Sequence, residues 1–255
     1  MGRADRIADG SSRRRASIGG PLGGCNEGAT LGARIFDPPD LPMSSRTTPA
    51  RRGLFFSFEG IDGSGKSTQA RLLAAALSEA GHQVVMVREP GGTALGEQIR
   101  ALLLDPASDI TPRAEALLFA AARAQLVEGV IEPALSAGHH VVADRYVDST
   151  TAYQGAGRGL GASLDAVSAF ATEGRMPDRT YLVTVSLQIS SARRARRDAD
   201  RMENPSDAFR QRVAEAYQTT ASQFPDRMLV VEGTGPEADV HRQILDDAVE
   251  IIASR

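Results

Sequence analysis

From Gly53 onward, short apolar runs alternate with longer stretches in which apolar residues recur every three or four positions. The runs at 54–59, 83–88, 139–144, 180–186 and 228–232 read as strands, because each is short, apolar and bounded by polar or turn residues. The periodic stretches at 67–80, 94–104, 112–137, 162–174, 190–197, 206–223 and 236–253 read as helices. In the first of these, Leu72, Leu73, Ala76 and Leu77 form one stripe and Gly81 follows as a stop. Five apolar strands separated by helices predict an α/β domain, a doubly wound five-stranded parallel sheet flanked by helices, with ligands at the carboxyl ends of its strands. No internal repeat interrupts the alternation. The glycine-rich stretch 154–161 and the basic stretch 193–205 are expected to be the loops that move.

Residues 1–52 break the pattern. They are rich in Gly, Ser, Pro and Arg, carry nine arginines against five acids and show no apolar period, which predicts a disordered extension ahead of a domain at 53–255. Met43 stands where an ordinary start would give a short lead into the first strand, so residues 1–42 read as dispensable. Removing the extension's net +4 from the chain's −3 leaves −7 on residues 53–255, which argues against a nucleic-acid-binding surface. Arg13 to Arg15 are followed by no apolar run suited to a secretion signal, and no run of 18 apolar residues is present to span a membrane. Cys25, the single cysteine, allows no intrachain disulfide, as suits a reducing cytoplasm.

Candidate chemistry begins with a count. The chain has 28 arginines and one lysine, Lys66, which sits in FEGIDGSGKST. Gly60 to Ser67 has the spacing G-x-x-x-x-G-K-S, between an apolar strand and a helix. Backbone N–H groups of such a loop wrap a nucleotide's phosphates, the lysine reaches the terminal ones and the hydroxyl serves Mg²⁺. A compact ammonium suits that cradle better than a wide guanidinium fork. At the tip of the third strand, Asp144 can join a Mg²⁺ shell and Arg145 can bridge two phosphates. Asp62 adds a second acid inside the loop, either for chemistry or to cap a turn. Arg88, beside the PGG turn, and Arg100 can reach an acceptor phosphate. Phe119 and Arg123 share a helix face at i and i+4, which fits either a grip on a flat base or a core Phe beside a solvated Arg. The RRARRDADR segment, 193–201, fits either a solvated helix face or a lid over a triphosphate.

The set FEGIDGSGKST, REPGGT, DRYVDSTTAYQGAGRG and the arginine-rich segment resembles bacterial thymidylate kinase, over residues 54 to about 250. The resemblance implies a P-loop kinase fold, ATP as donor, dTMP as acceptor, Mg²⁺ and a homodimer. It implies a cradle made by Gly60, Ile61, Asp62, Gly63, Ser64, Gly65, Lys66, Ser67 and Thr68. Metal contacts fall to Ser67 and Asp144. Arg88, Arg100 and Arg145 would hold the acceptor phosphate, with Asp62 and Glu89 near the sugar hydroxyl and metal. Phe119 would stack on thymine, Arg123 would hydrogen-bond it, Thr150 and Gln154 would finish the base edge, and Tyr153 would pack under the deoxyribose. Gly63 follows Asp62, so the catalytic arginine falls to the lid, Arg201 being taken among Arg193, Arg194, Arg196, Arg197 and Arg201. Thr151 departs from the family pattern, where Leu or Gln is common. Two other readings stay open: a deoxynucleoside kinase, which needs a carboxylate base rather than an arginine cluster, and a catalytically silent nucleotide-binding module. A guanine-reading N-K-x-D motif is impossible with the one lysine already placed at Lys66.

Overall fold

The computed structural model describes residues 51–195 and 206–255. Five strands, β1 (Phe55–Glu59), β2 (Val84–Arg88), β3 (His140–Asp144), β4 (Arg179–Thr184) and β5 (Met228–Glu232), form one sheet in the order β2-β3-β1-β4-β5. All four pairings are parallel, with Phe58 beside Asp144 and Glu59 beside Leu182. The central strand β1 is buried along its whole length, and its alternation feeds two layers. Phe56 and Phe58 pack with Leu73 and Leu77 of α1 (Lys66–Glu79) and with Val240 and Ile244 of α9 (Glu237–Ala253). Phe55 faces the other side, against Leu126, Ile131, Val141 and Tyr146. Each fully buried Phe contributes roughly 1.5–3 kcal/mol, so β1 is firmly held and a rigid base for the loop that follows it.

The remaining helices are α2 (Ala94–Leu104), α3 (Pro112–Leu126), α4 (Glu132–Ser136), α5 (Val147–Thr150), α6 (Asp165–Thr172), α7 (Leu187–Arg194) and α8 (Asp207–Gln223). The predicted helix 112–137 is divided: α3 widens into a π-helical turn at Val127–Ile131 before α4. Pro133 supplies the reason, since it has no N–H and its ring crowds the carbonyl four residues back. A 3₁₀ turn, Gly161–Leu164, precedes α6. β4 ends two residues early because Ser186 caps α7, its hydroxyl accepting from Ile189 N.

The expectation of a moving loop at 154–161 is corrected for its first half, while 158–160 stay outside helix and strand and Gly159 keeps a positive φ. Residues Thr151–Gly157 continue α5 as a π-helix, and Gln154, Gly155 and Gly157 are buried. A Cβ on Gly157 would lie 2.7 Å from the Phe209 ring, so this glycine serves close packing against α8 rather than mobility. The expected extension 1–52, apart from Arg51 and Arg52, and the lid residues Arg196, Arg197 and Arg201 lie outside the described residues. Arg52 pairs with Glu132 at 2.7 Å. Among the described residues no helix is long and apolar enough to cross a membrane.

Candidate active site

With β1 between β3 and β4, the strand order reverses at β1 and a crevice opens at its carboxyl end. Gly60 leaves the strand at φ 139°, and a Cβ there would come within 2.3 Å of the Val183 carbonyl. Gly65, at φ 103°, turns the chain into α1 with no side-chain cap, leaving that N-terminus to an anion. Lys66 is buried in the first turn, its Nζ donating to Asp62 at 3.2 Å. Burial and neighbouring Arg145 hold its ammonium below the usual range, against the pull of Asp62 and Asp144.

Arg145 stands opposite the loop, at the end of β3, with φ 74°, a backbone state rare for a side-chain-bearing residue. Its Nη2 donates to Asp62 and to Tyr153 Oη at 3.2 Å, and its Nη1 donates to Gly60 O, Ser149 Oγ and Tyr217 Oη. Its guanidinium lies 4.9 Å from the centre of the Tyr153 ring. Burial works to raise the Asp62 carboxyl, but Arg145 and Lys66 together hold it well below the usual carboxylate range. Asp144 Oδ1 and Ser64 Oγ are buried at this mouth without a protein partner.

The second end of the crevice is built on α3. Arg123 is 1% exposed, which corrects the alternative of a solvated arginine. Its Nε donates to both Glu89 oxygens at 2.8 and 3.0 Å, its Nη2 to Glu89 and Tyr146 O, and its Nη1 to Thr150 Oγ1 at 2.9 Å. Glu89 therefore has its charge matched to Arg123, and burial raises its pKa despite that partner. Phe119 is partly buried beside Ile99 and Leu103. Gln154 Nε2 donates to the buried Glu115, which also accepts from Arg158. Arg88 pairs with Glu97 at 3.1 Å on the rim, and Arg100 Nη1 donates to Pro90 O at 2.9 Å.

A single cleft of about 920 Å³ joins the two ends. Its lining includes Asp62 to Thr68, Arg88, Glu89, Arg100, Phe119, Arg123, Asp144, Arg145, Thr150, Tyr153 and Gln154. Gly60 and Ile61 stand outside it: Gly60 contributes its carbonyl to Arg145, and the Ile61 side chain packs with Tyr153 and Leu182 in the core. Arg193 and Arg194 reach the cleft from α7, and Arg193 donates to Gly63 O, Ser64 O and Gly233 O. Reasoning from sequence missed Glu59, Ser149, Tyr217 and Glu115. A signal existed for Glu59, a charge closing a strand that carries three phenylalanines. None existed for Tyr217, 158 residues away from its partner Glu59.

A parallel sheet whose central strand feeds a lysine-bearing glycine loop, facing an arginine that closes the next strand, defines a P-loop phosphotransferase. The family profile described as thymidylate kinase matches residues 58–244. The chain is 43% identical over 196 residues to the thymidylate kinase of Thermoanaerobacter sp. (strain X514), covering 76% of this chain and 97% of that one. It is 45% identical over 195 residues to that of Deinococcus radiodurans, covering 76% and 95%. The crystal structure of thymidylate kinase from Ehrlichia chaffeensis superposes with a TM-score of 0.65 at 33% identity, over 77% of this chain and 99% of that one. The chain belongs to the thymidylate kinase family, a family of nucleoside monophosphate kinases.

Proposed function

We propose that this protein transfers the γ-phosphoryl group of ATP to dTMP, giving dTDP, with Mg²⁺. The observation that carries the reading is one cleft with the Lys66 loop at one end, the Arg123 pocket at the other and Arg145 with Asp62 between them. The acceptor phosphate is already an anion near neutral pH, so no strong base is required and the work is alignment and neutralisation of charge. Lys66 supplies a point charge at the donor phosphates, and Arg145 a fork at the transferring group. Arg88 and Arg100 take the acceptor phosphate. This cluster favours a phosphate acceptor over the hydroxyl of a nucleoside.

Ser67 and the unpartnered Asp144 Oδ1 are the donors that fit Mg²⁺. Mg²⁺ usually keeps several waters and takes one or two protein oxygens plus substrate phosphates, a demand that these two side chains can meet. Bound there, Mg²⁺ would neutralise phosphate charge. Base choice rests on the other pocket. Phe119 offers a stacking face, and Arg123, after Glu89, Tyr146 O and Thr150, retains one Nη1–H. The Glu115 carboxylate only accepts, so Gln154 turns its NH₂ towards it and keeps Oε1 as an acceptor for a base that carries a ring N–H, as thymine does and cytosine does not.

Exposed Leu95, Leu102, Leu117 and Phe170 lie on α2, α3 and α6, where α3 packs against both neighbours, and support a homodimer through that face. A cytoplasmic setting accords with a single cysteine. A coupled assay with ATP and a panel of nucleoside monophosphates tests the reading. dTMP is expected to exceed dUMP by about 10- to 200-fold in kcat/KM, the value of one buried methyl. Equal turnover of CMP, AMP or GMP would overturn it.

A further inference from the structure

Glu59 closes β1 and is fully buried, does not line the cleft and has no part in the mechanism above. Its Oε1 accepts from Tyr146 N at 2.7 Å. Its Oε2 accepts from Ser149 Oγ at 2.6 Å and from Tyr217 Oη at 2.9 Å. Ser149 Oγ and Tyr217 Oη also lie 2.9 Å apart, but each has one hydrogen, and a carboxylate that can only accept draws both to itself and leaves the hydroxyl lone pairs turned outward. Those lone pairs are where Arg145 Nη1 donates, at 3.0 Å to Ser149 and 3.2 Å to Tyr217, its two hydrogens shared with Gly60 O at 3.1 Å. The other edge of the same guanidinium is thereby aimed at Asp62 and Tyr153 in the cleft.

We propose that Glu59 is a positioning residue for phosphoryl transfer: as an anion it sets the polarity of the Ser149 and Tyr217 hydroxyls, and these hold the Arg145 fork in register with the phosphate loop. The inference rests on the reading of the cleft as a nucleotide kinase site. An amide of the same shape cannot replace the carboxylate. Whichever way Gln is turned, its NH₂ meets either the Tyr146 N–H or the two hydroxyls, and in the second case their hydrogens swing towards Arg145, donor against donor. The groups facing Glu59 allow it to change charge. Burial and Asp148 raise its pKa to about 7, against Arg145, the Ser149 hydroxyl and Tyr146 N–H. Arg227, which donates to Asp148, and Arg123 complete the charges near it.

The test is a double-mutant cycle on kcat at saturating ATP and acceptor, with Glu59→Gln and Arg145→Ala. Glu59→Gln alone is expected to lower kcat ten- to a hundredfold, with KM for dTMP within about threefold, and to lose no more than about threefold when Arg145 is already alanine. Wild type should lose kcat as pH falls through about 7, and Glu59→Gln should lack that limb. Should Glu59→Gln fail to fold, Tyr217→Phe and Ser149→Ala keep the carboxylate and remove one lone pair each. Both should lower kcat several-fold, and only when Arg145 is present. Equal fold losses with and without Arg145, or an undiminished kcat in Glu59→Gln, would overturn the proposal. If wild type instead prefers another nucleoside monophosphate, the dTMP reading fails and the same cycle is run with that acceptor. A wild type inactive on every acceptor would overturn both.

Discussion

Replacing Glu89 with leucine isolates the energetics of the pair beneath the acceptor pocket. Arg123 and Glu89 are 1% and 3% exposed at their side chains, so the substitution leaves a buried guanidinium without its counter-charge. Thr150 Oγ1 and Tyr146 O still accept from it, but neither is an anion. Breaking a buried pair in this way costs about 3–5 kcal/mol, which for a domain of this size is a fall of roughly 6–20 °C in Tm. The exposed pair Arg242–Asp239, at 66% and 58% exposed, is the internal control, and Arg242→Ala should change stability by about 0–1 kcal/mol. The double variant Glu89→Leu with Arg123→Met removes both charges and fills similar volume, and should recover most of the loss while thymine recognition disappears. Thermal melts of the three variants, followed by dTMP kinetics on the double variant, make the measurement. If Glu89→Leu melts no lower than Arg242→Ala, or the double variant melts below Glu89→Leu, the burial argument is wrong.

Glu59 gives a pH dependence of stability with a defined sign. Its folded pKa of about 7 lies above the ordinary 4.5, so its contribution is fully present below the lower value and is lost as pH rises through the higher one, on the order of 3 kcal/mol in all. Urea melts at pH 5 and pH 8 should therefore show a steeper loss in wild type than in Glu59→Gln, and parallel slopes would refute it. Lys66 is the sole ε-amine, so once the α-amine has been acylated near neutral pH, an amine-selective reagent at higher pH should abolish activity with one further equivalent incorporated, and Mg·ATP should protect. Full acylation of Lys66 without loss of kcat would remove it from the mechanism. Alanine scanning of Arg193, Arg194, Arg196, Arg197 and Arg201 should find one variant with kcat lowered about 10³-fold at nearly unchanged dTMP binding. Five variants within a few-fold of wild type would place the catalytic arginine elsewhere.

The sequence by itself determined whatever depends on neighbours along the chain. The five strands, the parallel sheet and the loop from Gly60 to Ser67 are local patterns, since an apolar run, a period of 3.6 and a glycine spacing each act within a few residues. Phe119 and Arg123 were legible as a shared helix face for the same reason. Whether that face met solvent or core was not, because the answer lies in Glu89, 34 residues earlier, and Thr150, 27 later. The stretch after Asp144 shows the limit most clearly. Its glycines read as a mobile loop, yet Gly155 and Gly157 are buried in the π-helix Thr151–Gly157, because Phe209 and Val213 of α8 close over Gly157 and leave room for no side chain. Glu59 needed still more of the fold. Its partners come from the segment after β3 and from α8, and a carboxylate acquires a direction only when tertiary packing excludes water and leaves it two hydroxyls and one amide to choose from.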